Sequence, residues 1–208
     1  MTLIRFIEIL AILVSAFSGF IEARRKRMDP VGIFTVAFIT AFGGGTLRDI
    51  LLDQRPLFWV THQEYAILIF VLALVASPLI RTLRHVVSER MIVVADAIGL
   101  GLFSIAGVAA ALDAHMPLFI ASMMGVITGI FGGVLRDIVC NEVPMVFRDG
   151  KPYAICAFVG TWMFLGMRQV GVGHDFALWT SALAICVIRL VTVKLDVRIG
   201  PSEKDLDP

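Results

Sequence analysis

Gly43-Gly44-Gly45-Thr46-Leu47-Arg48-Asp49-Ile50 returns 88 residues later as Phe131-Gly132-Gly133-Val134-Leu135-Arg136-Asp137-Ile138. The same offset, without a gap, lays Tyr65-Ala66-Ile67 on Tyr153-Ala154-Ile155 and Phe70-Val71 on Phe158-Val159. It also lays Pro56 on Pro144, Thr40 on Thr128, Gly19 on Gly107 and acidic Glu8 on acidic Asp96. A single three-residue match carries no weight, but matches spread over a whole unit at one offset mark an internal duplication.

The surroundings of both copies are strongly apolar. The chain is 58% hydrophobic and 17% charged, with a mean hydropathy of +0.88, against roughly half apolar and a quarter charged for a soluble domain. Apolar runs at 3–21, 31–52, 65–80, 91–112, 118–139, 153–167 and 176–193 approach the roughly 20 residues a helix needs to cross a bilayer. The expected fold is an all-α membrane protein of seven transmembrane helices: two three-helix repeats at 1–88 and 89–175, a seventh helix at 176–194, and a polar tail at 195–208. No room is left for a separate soluble domain. The first run carries Glu8 and continues directly into the basic stretch at Arg24 to Arg27, so it reads as a retained helix rather than a cleaved leader.

Three spans per repeat is an odd number, so the second copy enters the membrane from the opposite side. Basic residues give the sense. Arg24, Arg25, Lys26 and Arg27 fall in the first loop, Arg81, Arg84 and Arg90 in the third, Arg148 and Lys151 in the fifth, and Lys194, Arg198 and Lys204 after the last span, whereas the alternate loops hold mainly Arg55 and Arg168. Positive loops stay cytoplasmic, which puts the N-terminus outside and the C-terminus in the cytoplasm. Inverted repeats with glycine-interrupted helices in corresponding positions are an architecture of transporters and channels, with the site where the two copies meet.

The glycines are the first candidates. Gly43, Gly44 and Gly45 in the second span, and Gly129, Gly132 and Gly133 in the fifth, each weaken a helix by on the order of 1 kcal/mol relative to alanine. Two readings are open. A bend or unwound turn lines a pathway, since freed backbone groups persist in a bilayer only beside protein or water; or the glycines let two helices approach closely. Three residues beyond each tract stand Arg48-Asp49 and Arg136-Asp137, charges that at membrane depth need a partner or a cavity. Matched depth and matched register predict the pairs Glu8–Arg48 and Asp96–Arg136, either as a gated constriction or as helix fasteners. Thr40, Thr46 and Thr128 offer oxygens of the kind that replace a cation's water shell.

Other features read as structural. His62, His85, His115 and His174 fall in predicted loops without metal-ligand spacing, and Cys140, Cys156 and Cys186 read as apolar filler. Arg189 and Lys194 lie near the end of the last span and are expected to snorkel to headgroups. Trp59, Trp162 and Trp179 are expected interface anchors, and the Arg24 to Arg27 run, which topology alone explains, also suits anionic lipid. There is no Ser-His-Asp set, phosphate loop or nucleotide fingerprint, so an enzyme or a nucleic-acid partner has no support.

The repeated Gly-Gly-x-Leu-Arg-Asp-Ile motif resembles that of a bacterial inner-membrane family also labelled a glycine transporter family, which groups with the trimeric intracellular cation channels. The resemblance runs from Glu8 to about Val193. It implies an inner-membrane homotrimer in which each protomer conducts monovalent cations, mainly potassium, with no resident cofactor. It implies that the second and fifth helices bend at Gly43, Gly44, Gly45, Gly132 and Gly133 and line the pathway, followed by the charged segments Arg48-Asp49 and Arg136-Asp137. The second copy departs from the pattern with Phe131 in place of a third glycine, which implies a smaller bend. A secondary transporter of a small amino acid such as glycine is the alternative, since inverted repeats serve both. More remote is a structural protein whose charges only fasten helices.

Overall fold

The computed structural model describes residues 3–82, 89–148 and 152–199. The helices are α1 (Leu3–Arg25), α2 (Pro30–Leu51), the single turn α3 (Phe58–Thr61), α4 (Gln63–Thr82), α5 (Glu89–Asp113), α6 (Leu118–Val139), α7 (Tyr153–Gln169) and α8 (His174–Lys194), with a 3-10 turn at Met145–Phe147. No strand occurs among the described residues. Within those residues α1, α2, α5, α6 and α8 are long and apolar enough to cross a bilayer. The side chains of Arg81, Arg84, His85, Lys151 and Lys204, which entered the topology and loop readings, lie outside what is described.

Local chemistry explains where the helices stop. Pro30 opens α2 and the Asp29 carboxylate accepts from the Gly32 amide at 2.8 Å, filling one of the orphan donors of a first turn. Arg27 and His115, 88 positions apart, leave α1 and α5 with φ of 57° and 58°. Asp53 and Asn141, also 88 apart, leave α2 and α6 with φ of 51° and 55°. After each of these left-handed residues the next amide returns to a carbonyl five residues back: Met28 to Ala23, Gln54 to Asp49, Met116 to Ala111 and Glu142 to Asp137. That closure ties off the last carbonyls of each helix, and Asp, Asn and His tolerate the conformation better than most residues. The two copies therefore share their turns as well as their letters.

Packing is paired in the same way. α1 lies on α2 as α5 lies on α6, and α2 meets α4 as α6 meets α7. Each of the first two helices also touches its own counterpart, α1 against α5 and α2 against α6. The core runs through these contacts, with Ile7, Ile33, Ile105, Phe164 and Ile185 essentially sealed. α8, which has no counterpart, covers α5 and α7. Phe6, Phe70, Val75, Phe176 and Leu183 stay exposed on the periphery, as lipid-facing side chains are.

Candidate functional site

The centre of the molecule is the crossing of α2 and α6. A Cβ placed on Gly44 would lie 2.1 Å from the Thr128 carbonyl oxygen, and one on Gly132 would lie 2.4 Å from the Thr40 carbonyl oxygen. Because 44 corresponds to 132 and 40 to 128, the contact is reciprocal: each glycine seats the backbone of the other helix. Both threonine hydroxyls donate to the carbonyl four residues back, Thr40 to Val36 and Thr128 to Met124, each at 2.6 Å. Neither glycine tract is unwound. α2 and α6 stay α-helical throughout, and of the two open readings close approach is the one seen at Gly44 and Gly132, because the absent side chains make room for a neighbouring carbonyl.

The other glycines divide by surroundings. Gly43 faces the Leu135 side chain, with 2.7 Å to a built Cβ, and Gly129 faces the Ser104 hydroxyl at 2.2 Å. Gly133 looks toward Asp96 and Tyr153 at 3.3 and 3.7 Å, and Gly45 has nothing within 4 Å.

Beyond the crossing, at each end, sits a buried arginine. Arg48 Nη1 is 2.9 Å from Glu8 Oε1, and its Nε donates to Asp49 Oδ1 at 2.9 Å. Arg136 Nη1 is 3.2 Å from Asp96 Oδ1, and its Nε donates to Asp137 Oδ1 at 2.9 Å. The ion pairs expected from depth and register are present. Each aspartate also uses its second oxygen to accept a backbone amide, Asp49 from Phe58 at 3.0 Å and Asp137 from Met145 at 2.8 Å. The short turns after Pro56 and Pro144 are thereby held over the arginines. Neither α3 nor the 3-10 turn was legible in the sequence, because four residues carry no periodicity.

The second cluster has more parts. Arg136 Nη1 also donates to Ser18 Oγ at 2.6 Å, and Tyr153 Oη donates to Asp96 Oδ2 at 2.5 Å. Arg189, expected at the headgroups, is instead 3% exposed, with its guanidinium carbon 4.5 Å from the centre of the Tyr153 ring. Hydropathy locates a span but not its faces; the run Leu178, Ser181, Ala182, Ile185, Arg189, all buried, was the signal that Arg189 points inward. Trp59, expected at the membrane interface, packs edge-on against Phe38 at 5.5 Å and lines the cavity below Arg48. Ser18 and Tyr153 carried no sequence signal as site residues beyond the coincidence of Tyr65 with Tyr153.

Small cavities adjoin the crossing and both arginines. Thr40, Thr128, Gly44, Gly132, Ser18 and Asp96 border a central space of about 10 Å³, and Glu8, Gly45, Thr46, Arg48 and Phe58 border one of about 20 Å³. Neither holds more than about one water. A wider mouth of about 270 Å³ opens among Glu22, Arg25, Asp137, Glu142 and Arg148. Arg136 borders both this mouth and the central space, so it separates them. Around the mouth Glu142 joins Lys26 and Arg148 in ion pairs. The Lys26 hydrogen bond is the main cause of a lowered Glu142 pKa, and the same bond raises that of Lys26.

Comparison with known proteins matches these features. The model of a family described as "Glycine transporter" covers residues 5–81 and again 93–169, two blocks at the same 88-residue offset. The UPF0126 inner membrane protein YadS of Escherichia coli K12 is 38% identical over 197 residues, 95% of each chain. A UPF0126 membrane protein of Vibrio cholerae is 34% identical, covering 93% of this chain and 80% of the relative. Among solved structures, the TRIC trimeric intracellular cation channel orthologue from Rhodobacter sphaeroides superposes with a TM-score of 0.86 at 29% identity, over 95% of this chain and all of the other. A structure described as the basis for conductance through TRIC cation channels superposes at 0.84 with 30% identity, over 97% and 98% of the two chains.

Proposed function

This chain belongs to the glycine transporter family, and on that premise we propose that it is a monovalent-cation channel whose pathway runs within each protomer between α2 and α6. It assembles as a homotrimer in the inner membrane, as the names of its relatives and structural neighbours say of those proteins. α1, α2, α4, α5, α6, α7 and α8 are the seven spans, arranged as two oppositely inserted three-helix repeats and one added helix. The N-terminus faces outside and the C-terminus the cytoplasm, in keeping with the basic first loop.

The observation that carries this reading is the reciprocal Gly44–Thr128 and Gly132–Thr40 contact, with a small cavity beside it lined by Thr40, Thr128, Ser18, Asp96 and Arg136 and a second, mainly apolar one beside Arg48, each arginine being paired with carboxylates. Potassium is the favoured ion. A large, weakly hydrated cation gives up its water to hydroxyl and carbonyl oxygens at modest cost, and those of Thr40 and Thr128 stand at that contact. Each arginine is outnumbered by two carboxylates, Glu8 and Asp49 at one end and Asp96 and Asp137 at the other. The pathway ends therefore favour cations despite the guanidinium. The geometry described is the shut state: a space for one water does not pass an ion, and conduction requires α2 and α6 to part and Arg136 to move aside.

The family description keeps a carrier of glycine as the second reading. Planar-bilayer recording of the purified protein separates the two. Unitary current steps reversing near the potassium equilibrium potential are expected; saturable glycine uptake into liposomes without such steps overturns the channel reading.

A further inference from the structure

The helix that stands outside the duplication delivers a cation to only one of the two arginine clusters. α8 is pressed against its neighbours at two close contacts. A Cβ on Gly101 would lie 2.4 Å from the Ala182 carbonyl oxygen, and one on Gly160 would lie 2.0 Å from Ile185 Cγ1. With Ala182 and Ile185 fixed in this way, the next residue on the same face, one turn further, is Arg189, and it must enter the interior. There its Nε and Nη1 are buried and have no hydrogen-bond partner among the described residues. Unused donors on a buried guanidinium are unfavourable, and a contact with an aromatic face uses none of them. Fastening by the ring contact alone leaves those donors unexplained.

Arg189 stands at one end of a continuous chain of contacts. Its guanidinium covers the Tyr153 ring, the Tyr153 hydroxyl donates to Asp96, and Asp96 pairs with Arg136. The other carboxylate of the cluster, Asp137, is held by Arg136 Nε and the Met145 amide. If Arg136 withdraws from between the mouth and the central space, Asp96 loses its counter-charge in a site closed to bulk water, and removing one partner of a buried pair is strongly unfavourable. A second cation one aromatic ring away removes that obstacle. Among the described residues, no second buried cation lines the first cluster. Tyr65, which matches Tyr153, stacks against Phe58 at 6.1 Å, and the Glu8 side chain is 15% exposed, so water can take the place of Arg48 there.

We propose that Arg189 is a positioning residue that takes over Asp96 through movement of Tyr153 when Arg136 leaves, so that α8 makes the Arg136 end the moving gate. This rests on the channel reading, and one set of bilayer recordings tests both. Wild-type unitary steps establish conduction; their absence overturns the channel reading and this inference with it. Given conduction, Arg189→Gln, which keeps donors but removes the charge, should lower open probability by about tenfold with unitary conductance unchanged, a size ordinary for coupling between sites. Arg189→Lys should restore most of it, and Arg189→Gln should add nothing in an Asp96→Asn background. If Arg189→Gln does not assemble, Tyr153→Phe carries the test, since loss of the hydroxyl unlinks Asp96 from Arg189 while keeping the ring contact, and the same fall is expected. Wild-type open probability in an assembled Arg189→Gln or Tyr153→Phe channel, or effects of Arg189→Gln and Asp96→Asn that simply add, would overturn the proposal.

Discussion

Arg48 and Arg136 occupy matching positions, each bonded through Nε to the next aspartate and through Nη1 to an acid on a neighbouring helix, yet their surroundings differ. Around Arg48 the closing elements are aromatic, Phe58 and Trp59, and Glu8 keeps some access to solvent. Around Arg136 they are polar: Ser18 and Tyr153 complete the bonding, and Arg189 adds a second cation. Duplication supplied two similar charged clusters, and divergence made one self-contained and the other dependent on a wider network. Similar parts thus serve unlike ends.

The sharpest way to break the comparison is at the crossing, where the halves are still equivalent. Gly44→Leu and Gly132→Leu each force a side chain into a backbone carbonyl, and both should abolish conduction while the assembled oligomer still elutes on size exclusion. Undiminished current from either variant would show that the constriction lies elsewhere, and unequal losses would show that the reciprocity is only geometric. Gly166→Ala, on α7 with nothing within 4 Å of a built Cβ, serves as the unaffected control.

Next in size is the removal of one acid at each end. Asp96→Asn takes a carboxylate from a site where Asp96 is 8% exposed and also holds Tyr153, and a loss of about 3 kcal/mol in unfolding free energy in detergent is expected, as for breaking a buried pair. Glu8→Gln should cost about 1 kcal/mol, because partial exposure screens the loss. Equal costs would remove the asymmetry. A finer probe is Tyr153→Phe against Tyr65→Phe: the first removes a bond to a charged group and should cost about 2 kcal/mol, the second less than about 0.5 kcal/mol as a surface-type change.

The smallest effect belongs to the rim of the mouth. Glu142 has a lowered pKa and Lys26 a raised one, each chiefly through their mutual hydrogen bond. The glutamate contribution is present above the ordinary carboxylate range and fades as pH falls through the lowered value. The lysine contribution is present below 10.5 and fades as pH rises through the raised value. Glu142→Gln should therefore differ slightly from wild type in thermal stability at neutral pH and low salt, and match it in acid or at high salt. A difference that persists in acid would place Glu142 in some other role.

Most of the fold was legible because a bilayer leaves few options for backbone groups. The seven apolar runs end within a few residues of the described long helices, and the Glu8 and Asp96 pairings followed from depth plus register. What failed were faces and local shape. For Gly44 and Gly132 a pathway-lining bend and close packing were both open, and each receives a carbonyl; a side-chain-free stripe looks the same in sequence whether it faces water or another backbone. Arg189 was assigned to the headgroups because hydropathy averages over a helix turn, and only the buried stripe through Ala182 and Ile185 shows its side.

The narrowness of the central space has a consequence for energy conservation. A membrane that stores a proton gradient tolerates an ion channel only if the shut state also stops protons, which hop along files of hydrogen-bonded water far more readily than any metal ion moves. Here the space beside the crossing is small. There is space for about one molecule, and the adjacent Thr40 and Thr128 hydroxyl protons are both committed to carbonyls of their own helices. A space of this size does not hold the continuous file of water along which protons hop.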